Sequence, residues 1–132
     1  DKSRIAEVFS NLLSNAIKFA PEGMITITVE KDKINKTDNN NVIVSVKDTG
    51  QGIDVNLLPK LFTKFASKSY NGTGLGLFIS KGIVEAHLGK IWGENNVDGI
   101  GATFSFSLPT SYRNTSDNKT DNSISKERSL HV

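Results

Sequence analysis

Two glycine-rich stretches, DTGQGI (Asp48 to Ile53) and GTGLGL (Gly72 to Leu77), constrain this chain more than any other feature. Each carries glycine at alternate positions, so the backbone there must turn sharply or lie close against something. Upstream stands NLLSNAIKFA (Asn11 to Ala20), a run with helical spacing that puts two amide side chains four residues apart. Together these features imply a pocket edged by tight turns, with the short segment between them as a mobile cover.

Composition narrows the classes. A chain of 132 residues suits one domain with a single core. It has no cysteine, which excludes a disulfide framework, thiol chemistry and a zinc knuckle. No apolar run approaches the ~20 residues of a membrane span. The chain opens directly into a helix, so no signal peptide is expected. A net charge of +2 is too weak to argue for nucleic acid. A cytoplasmic, reducing location is the simplest expectation.

Apolar residues Ile5, Val8, Phe9, Leu12, Leu13, Ala16 and Ile17 recur at helical spacing and predict a helix from Lys2 to Phe19, stopped by Pro21 and Gly23. Ile25, Ile27 and Val29 alternate with polar residues, as do Val42, Val44 and Val46, predicting two half-buried strands. Residues 54–65 predict one or two short helices, with Pro59 in a first turn. Ala66 to Thr73 is polar and expected to be mobile. A helix is predicted from Gly74 to Leu88, then strands over 89–97 and 102–108, with Phe104, Phe106 and Leu108 inward. The pattern predicts a two-layer α/β sandwich over residues 1–109. Residues 110–132 are polar, with isolated apolar residues, and predict a disordered tail.

Glu7, Asn11, Asn15 and Lys18 form one polar stripe beside the apolar face of the first helix. A solvated stripe is the ordinary reading. Against it, asparagine costs about half a kcal/mol relative to alanine inside a helix, and both asparagines lie close to the core boundary. A neutral amide oxygen is a suitable hard ligand for Mg²⁺, and Lys18 could meet a phosphate. Asp48 ends a strand just where glycines leave room, offering a carboxylate acceptor beside a flat slot; a plain Asp-x-Gly turn is the alternative. Thr49 offers a second polar contact. GTGLGL before a helix presents free N–H groups to an anion, or serves only as a helix entry. It lacks the GK[ST] of a P-loop and the third glycine of a dinucleotide fingerprint. Phe62 and Phe65 suit packing at the root of the mobile segment. Lys64 and Lys68 are solvated or reach phosphate. His87 suits a helix C-terminus.

The order and spacing of NLLSNAIKFA, DTGQGI, LPKLFTKFA, GTGLGL and GIGATFSFSLP resemble the N, G1, F, G2 and G3 boxes of the ATP-binding catalytic domain of sensor histidine kinases. The resemblance implies a Bergerat fold: a mixed β-sheet with about three helices on one face, and ATP beneath a flexible lid on that face. It implies catalytic roles for Asn11 and Lys18, Asn15 as the Mg²⁺ ligand, and Asp48 as the acceptor for the adenine amine. Gly50, Gly52 and Ile53 would shape the adenine pocket, and Phe62 and Lys68 would flank the lid. Gly72, Thr73, Gly74, Leu75, Gly76 and Leu77 would form the lid end and phosphate turn. Gly101 and Thr103 would close the pocket.

The family's phosphoacceptor histidine lies in a separate upstream domain, and neither His87 nor His131 stands in such a motif. The implied partners are therefore that dimeric phosphoacceptor domain of the same kinase and, after it, a response regulator. Nucleic acid is not among them, and the isolated chain is expected to be a monomer. The parent kinase could be membrane-bound. The chain departs from the family at Leu88-Gly89, where Gly-Gly is frequent, and lacks the short strand that often precedes the first helix. A serine kinase of the same fold, an ATPase of the topoisomerase or mismatch-repair kind with a glutamate base where Asn11 stands, and a non-catalytic nucleotide-sensing module are the alternatives.

Overall fold

The computed structural model describes residues 1–32, 40–64 and 75–110. The expected mobile segment and residues 111–132 of the predicted tail, with Phe65, Lys68, Gly72, Thr73 and Gly74, lie outside the described residues.

Helix α1 runs Lys2–Phe19. Asp1 caps it, its carboxylate accepting from the Ser3 N–H at 3.0 Å. Val8, Leu12 and Ala16, four residues apart, are its buried line. The Ala20 N–H still reaches the Ala16 carbonyl at 2.9 Å, and Pro21 ends the ladder. Strands β1 (Ile25–Lys31) and β2 (Asn41–Asp48) follow, then a 3₁₀ turn (Leu58–Lys60), helix α2 (Gly76–Ala86), and strands β3 (Lys90–Asn95) and β4 (Ala102–Pro109).

The sheet order is β1-β2-β4-β3, and every pairing is antiparallel. The mixed sheet implied by the resemblance is thus an antiparallel one among the described residues. The connection through α2 makes β2 and β3 run the same way, but β4 returns between them, so no parallel pair touches. The register aligns rows on one face: Val29, Val44, Phe106 and Ile91; then Ile27, Val46, Phe104 and Gly93. These rows meet α1, α2 and Leu61 in a single core, with Val8, Leu12, Val46, Val84 and Phe106 at most 1% exposed. The layers are the predicted α/β sandwich. The opposite face carries Thr28, Ser45, Ser105 and Trp92 in one row, and the Ser45 and Ser105 hydroxyls pair at 2.8 Å.

Residues 54–63 form overlapping turns rather than an α-helix. Bonds run from Leu57 N to Asp54 O, Lys60 N to Leu57 O and Thr63 N to Lys60 O. Pro59 has no N–H with which to extend an α ladder. The last helix ends two residues before the predicted Leu88, because Leu88 adopts a left-handed φ of 64°. His87 Nδ1 donates to the Ile83 carbonyl at 2.7 Å, the helix-end role expected of it.

Candidate functional site

One face of α1 carries Asn11, Asn15 and Phe19 at intervals of four. Asn11 Nδ2 donates to Ser80 Oγ at 3.1 Å and to the Gly76 carbonyl at 3.4 Å, tying α1 to the first turns of α2. At the other end of that face, the Phe19 carbonyl supports the turn after β2. A Cβ on Gly50 would fall 2.2 Å from the Phe19 oxygen, so only glycine lets the turn lie there. The space left by Gly50 is filled by the end of α1 and is not an open slot. Asn15 lies between these two anchors, half-buried. No hydrogen bond to the described residues engages its amide. Lys18 is exposed.

Asp48 ends β2 at 2% exposure. Its Oδ1 accepts from the Gly50 N–H at 2.9 Å and from the Ala102 N–H at 3.3 Å. Oδ2 takes no hydrogen bond among the described residues. No buried side-chain polar atom there goes without a partner, so Oδ2 reaches the accessible surface. It is a fixed acceptor with its capacity unspent.

Thr49, a candidate second contact, is engaged elsewhere. Its hydroxyl accepts from the Met24 N–H at 2.9 Å, and its own N–H donates to the Met24 carbonyl at 3.2 Å. Thr103 is corrected outright. It pairs with Lys47 and Glu94 on the outer face of the sheet, and its hydroxyl bonds Asn96 Oδ1. Side chains alternate along a strand, so the neighbour Ala102 takes the position beside Asp48. Gly101 lies directly under the Asp48 carbonyl, where a Cβ would fall 2.0 Å from its oxygen.

Ile53 and Phe62 are half-buried and pack against the core. Lys64 Nζ stands 5.3 Å from the centroid of the Phe78 ring, a cation–π contact. Leu75, Gly76 and Leu77 form the entry of α2, and no side-chain hydrogen bond caps the helix there. Gly76 borders Asn11, and a Cβ there would still have 4.0 Å to the nearest atom.

Three residues of this site escape a reading by motif. Ser80, fully buried on α2, receives the Asn11 amide; its signal is a lone hydroxyl within an apolar helix face. Asn95 takes the Ile53 N–H on Oδ1 at 2.7 Å and donates from Nδ2 to the Ile53 carbonyl at 3.0 Å. Asn96 Nδ2 donates to the carbonyls of Asp48 (2.9 Å) and Ile100 (2.7 Å). A shallow depression lined by Lys47, Glu94, Asn95, Asn96, Val97, Asp98 and Thr103 lies at the β3–β4 turn and does not include Asp48. Its Thr103 and Asn96 groups bond one another. Asp48 Oδ2 and the Asn15 amide bond nothing among the described residues, so the candidate site is on the helical face.

Comparison with known proteins agrees with this architecture. Residues 1–112 match the model of the histidine kinase-, DNA gyrase B- and HSP90-like ATPases. Sensor histidine kinase WalK of Bacillus subtilis (strain 168) is 36% identical over 116 residues, covering 83% of this chain and 18% of WalK. The nucleotide-free catalytic domain of histidine kinase ThkA superposes with a TM-score of 0.69 at 40% identity, over 83% of this chain and 68% of that one. Full-length ShkA in complex with AMPPNP superposes with a TM-score of 0.68 at 30% identity, over 83% of this chain and 22% of that one. The chain thus spans about a fifth of the longer relatives. It belongs to the histidine kinase-, DNA gyrase B- and HSP90-like ATPase family, as an ATP-binding catalytic domain of the histidine kinase type.

Proposed function

We propose that this chain binds Mg²⁺–ATP and donates the γ-phosphoryl group to a histidine on a separate dimerisation and phosphoacceptor domain of the same kinase, which then serves a response regulator. The observation that carries the reading is Asp48: a carboxyl held rigidly by two backbone N–H groups, with Oδ2 left to accept. The exocyclic amine of adenine is the complementary donor. Ile53 and Gly52 border the base. From the Phe19 end of α1 to Asn11 is eight residues, about 12 Å along the axis, so base and phosphates can lie along one helix face. The entry of α2, from Gly76 onward, offers N–H groups and the positive dipole end to the phosphates. Lys18 adds a point charge, and Lys68 and the glycines from Gly72 to Gly74 complete the phosphate end.

Among the described residues no cluster of three His, Cys, Asp or Glu side chains could hold a metal. A Mg²⁺ ion carried in on phosphate oxygens and water needs little from the protein, and the unengaged oxygen of Asn15 is a suitable neutral ligand. Mg²⁺ supplies charge neutralisation at the phosphates when bound. Asn11 spends its nitrogen on α2 and keeps an acceptor oxygen, which can meet a cation or an ordered water beside the phosphates but, being an amide, cannot take a proton as a carboxylate does. Hydrolysis by the chain alone is accordingly slow, and the attacking group must come from the partner domain in line with the γ-phosphate. Among the described residues no helix is long and apolar enough to cross a membrane. The dimer forms through the phosphoacceptor domain, and this chain alone is a monomer.

The test is incubation with labelled Mg²⁺–ATP, with and without a separately expressed phosphoacceptor domain. Acid-labile, base-stable label should appear only on the added domain. Turnover of tens per second by the chain alone, near the median enzyme rate, would place it with the ATPases instead.

A further inference from the structure

The geometry points to Asn95 as a positioning residue for nucleotide recognition, acting through the Ile53 peptide; this rests on the ATP reading of the Asp48 site. The turn from Asp48 to Ile53 is held in two halves. Its first half is fixed several times over, by Asp48 Oδ1 on the Gly50 N–H, by the Thr49–Met24 pair and by the close seat of Gly50 on Phe19. For its second half the described residues provide one side-chain anchor, Asn95, which grips both the N–H and the carbonyl of Ile53. A single amide thus supplies the pairing that a neighbouring strand would give.

Three details make the grip specific. Asn95 ends β3 opposite Ala102, and the Ala102 N–H is one of the two that hold the Asp48 carboxyl. Asn95 and Asp48 therefore flank the same residue, on the same face of the sheet. Gly52 has a φ of +78°, and a Cβ there would come 2.9 Å from Asn95 Oδ1, so the glycine admits the amide. The Ile53 side chain is packed on the core while its peptide is held by Asn95. The amide consequently sets the spacing between Ile53 and the Asp48 carboxyl, the two sides of the proposed base pocket. Because Asn95 is exposed, water can replace its bonds in the folded protein, so its loss frees the turn more than it unfolds the chain. Asn96 differs: it serves the Asp48 and Ile100 carbonyls and Thr103 in the body of the hairpin.

The test compares Asn95→Ala, Asp48→Asn and the unaltered chain. Readouts are Mg²⁺–ATP affinity, affinity for Mg²⁺–tripolyphosphate by competition, apo melting temperature and hydrogen exchange at the Ile53 N–H. Asn95→Ala should weaken ATP about tenfold, the scale of one or two exposed hydrogen bonds. Tripolyphosphate, which has no base, should bind unchanged. Ile53 should exchange faster, and the melting temperature should hold within a few degrees. Unchanged ATP affinity would overturn the inference, as would equal losses for ATP and tripolyphosphate with a large fall in melting temperature. If Asp48→Asn weakens ATP and Asn95→Ala does not, only the role of Asn95 fails; if neither does, the site reading fails with it.

Discussion

Asp48→Asn separates recognition from folding at this site. The substitution is isosteric. The oxygen of the introduced amide can take the place of Oδ1 and keep the Gly50 and Ala102 N–H bonds, which are 2.9 and 3.3 Å long in the unaltered chain. Its nitrogen then occupies the place of Oδ2, the position left to the ligand. In the apo protein two charge-assisted bonds become neutral ones, while a carboxylate that is 2% exposed no longer resists burial. These terms oppose one another, so the apo melting temperature should move by only a few degrees. With ATP bound, two donors face each other. Losing a hydrogen bond to a charged group costs about 1.5–3 kcal/mol, or roughly ten- to more than a hundredfold in Kd. Guanine carries a keto oxygen where adenine has its amine, so the new donor suits GTP better than the carboxylate does. Parallel calorimetric titrations with Mg²⁺–ATP and Mg²⁺–GTP should show ATP losing far more than GTP. Equal losses for both nucleotides would refute the adenine contact.

Asn15→Ala should remove most Mg²⁺-dependent nucleotide affinity and leave apo stability equal or slightly higher, since alanine is the better helix former; thermal melts with and without Mg²⁺–ATP check this, and a destabilised apo chain with full affinity would make Asn15 structural. Gly50→Ala should destabilise the apo protein by about 1–3 kcal/mol in urea melts, because its Cβ meets the Phe19 carbonyl at 2.2 Å and one of the two elements must move. Leu88→Gly should stabilise by about 0.5–1 kcal/mol in the same assay: the side chain is 84% exposed, and glycine removes the cost of a left-handed residue.

Much of the fold is legible in the sequence because its signals are local. The boundaries of α1 match the prediction, since seven apolar residues fix the face and Pro21 fixes the stop. The strands follow from alternation. Thr103 shows where a motif outruns geometry: the alternation that turns Phe104 and Phe106 inward also turns Ala102 inward and Thr103 outward. A box match gives spacing along the chain and not the face of the sheet. Ser80 and Asn95 are beyond local reading for another reason. Their partners lie 69 and 42 residues away, and only the packing of α2 on α1, or of the hairpin beside the turn, brings them together.

The candidate site is distinguished less by which polar residues it holds than by which of them still have something to offer. Thr49 and Thr103 resemble binding groups in sequence, yet the Thr49 hydroxyl accepts the Met24 N–H and the Thr103 hydroxyl donates to Asn96. Asp48 and Asn11 are half-committed: one atom of each is tied down and the other is left over. That division is what ligand recognition requires, because the bonded atom fixes the direction of the free one without ordering at the moment of binding. Asn15, with no bond to the described residues, can gain its directionality from a cation and its phosphates. A nucleotide seated along α1 would therefore meet its most rigid partner at the base and its most adaptable one at the metal. Base selectivity should accordingly depend on the Asp48 turn and its supports, and phosphate affinity on the α1 amides and the entry of α2.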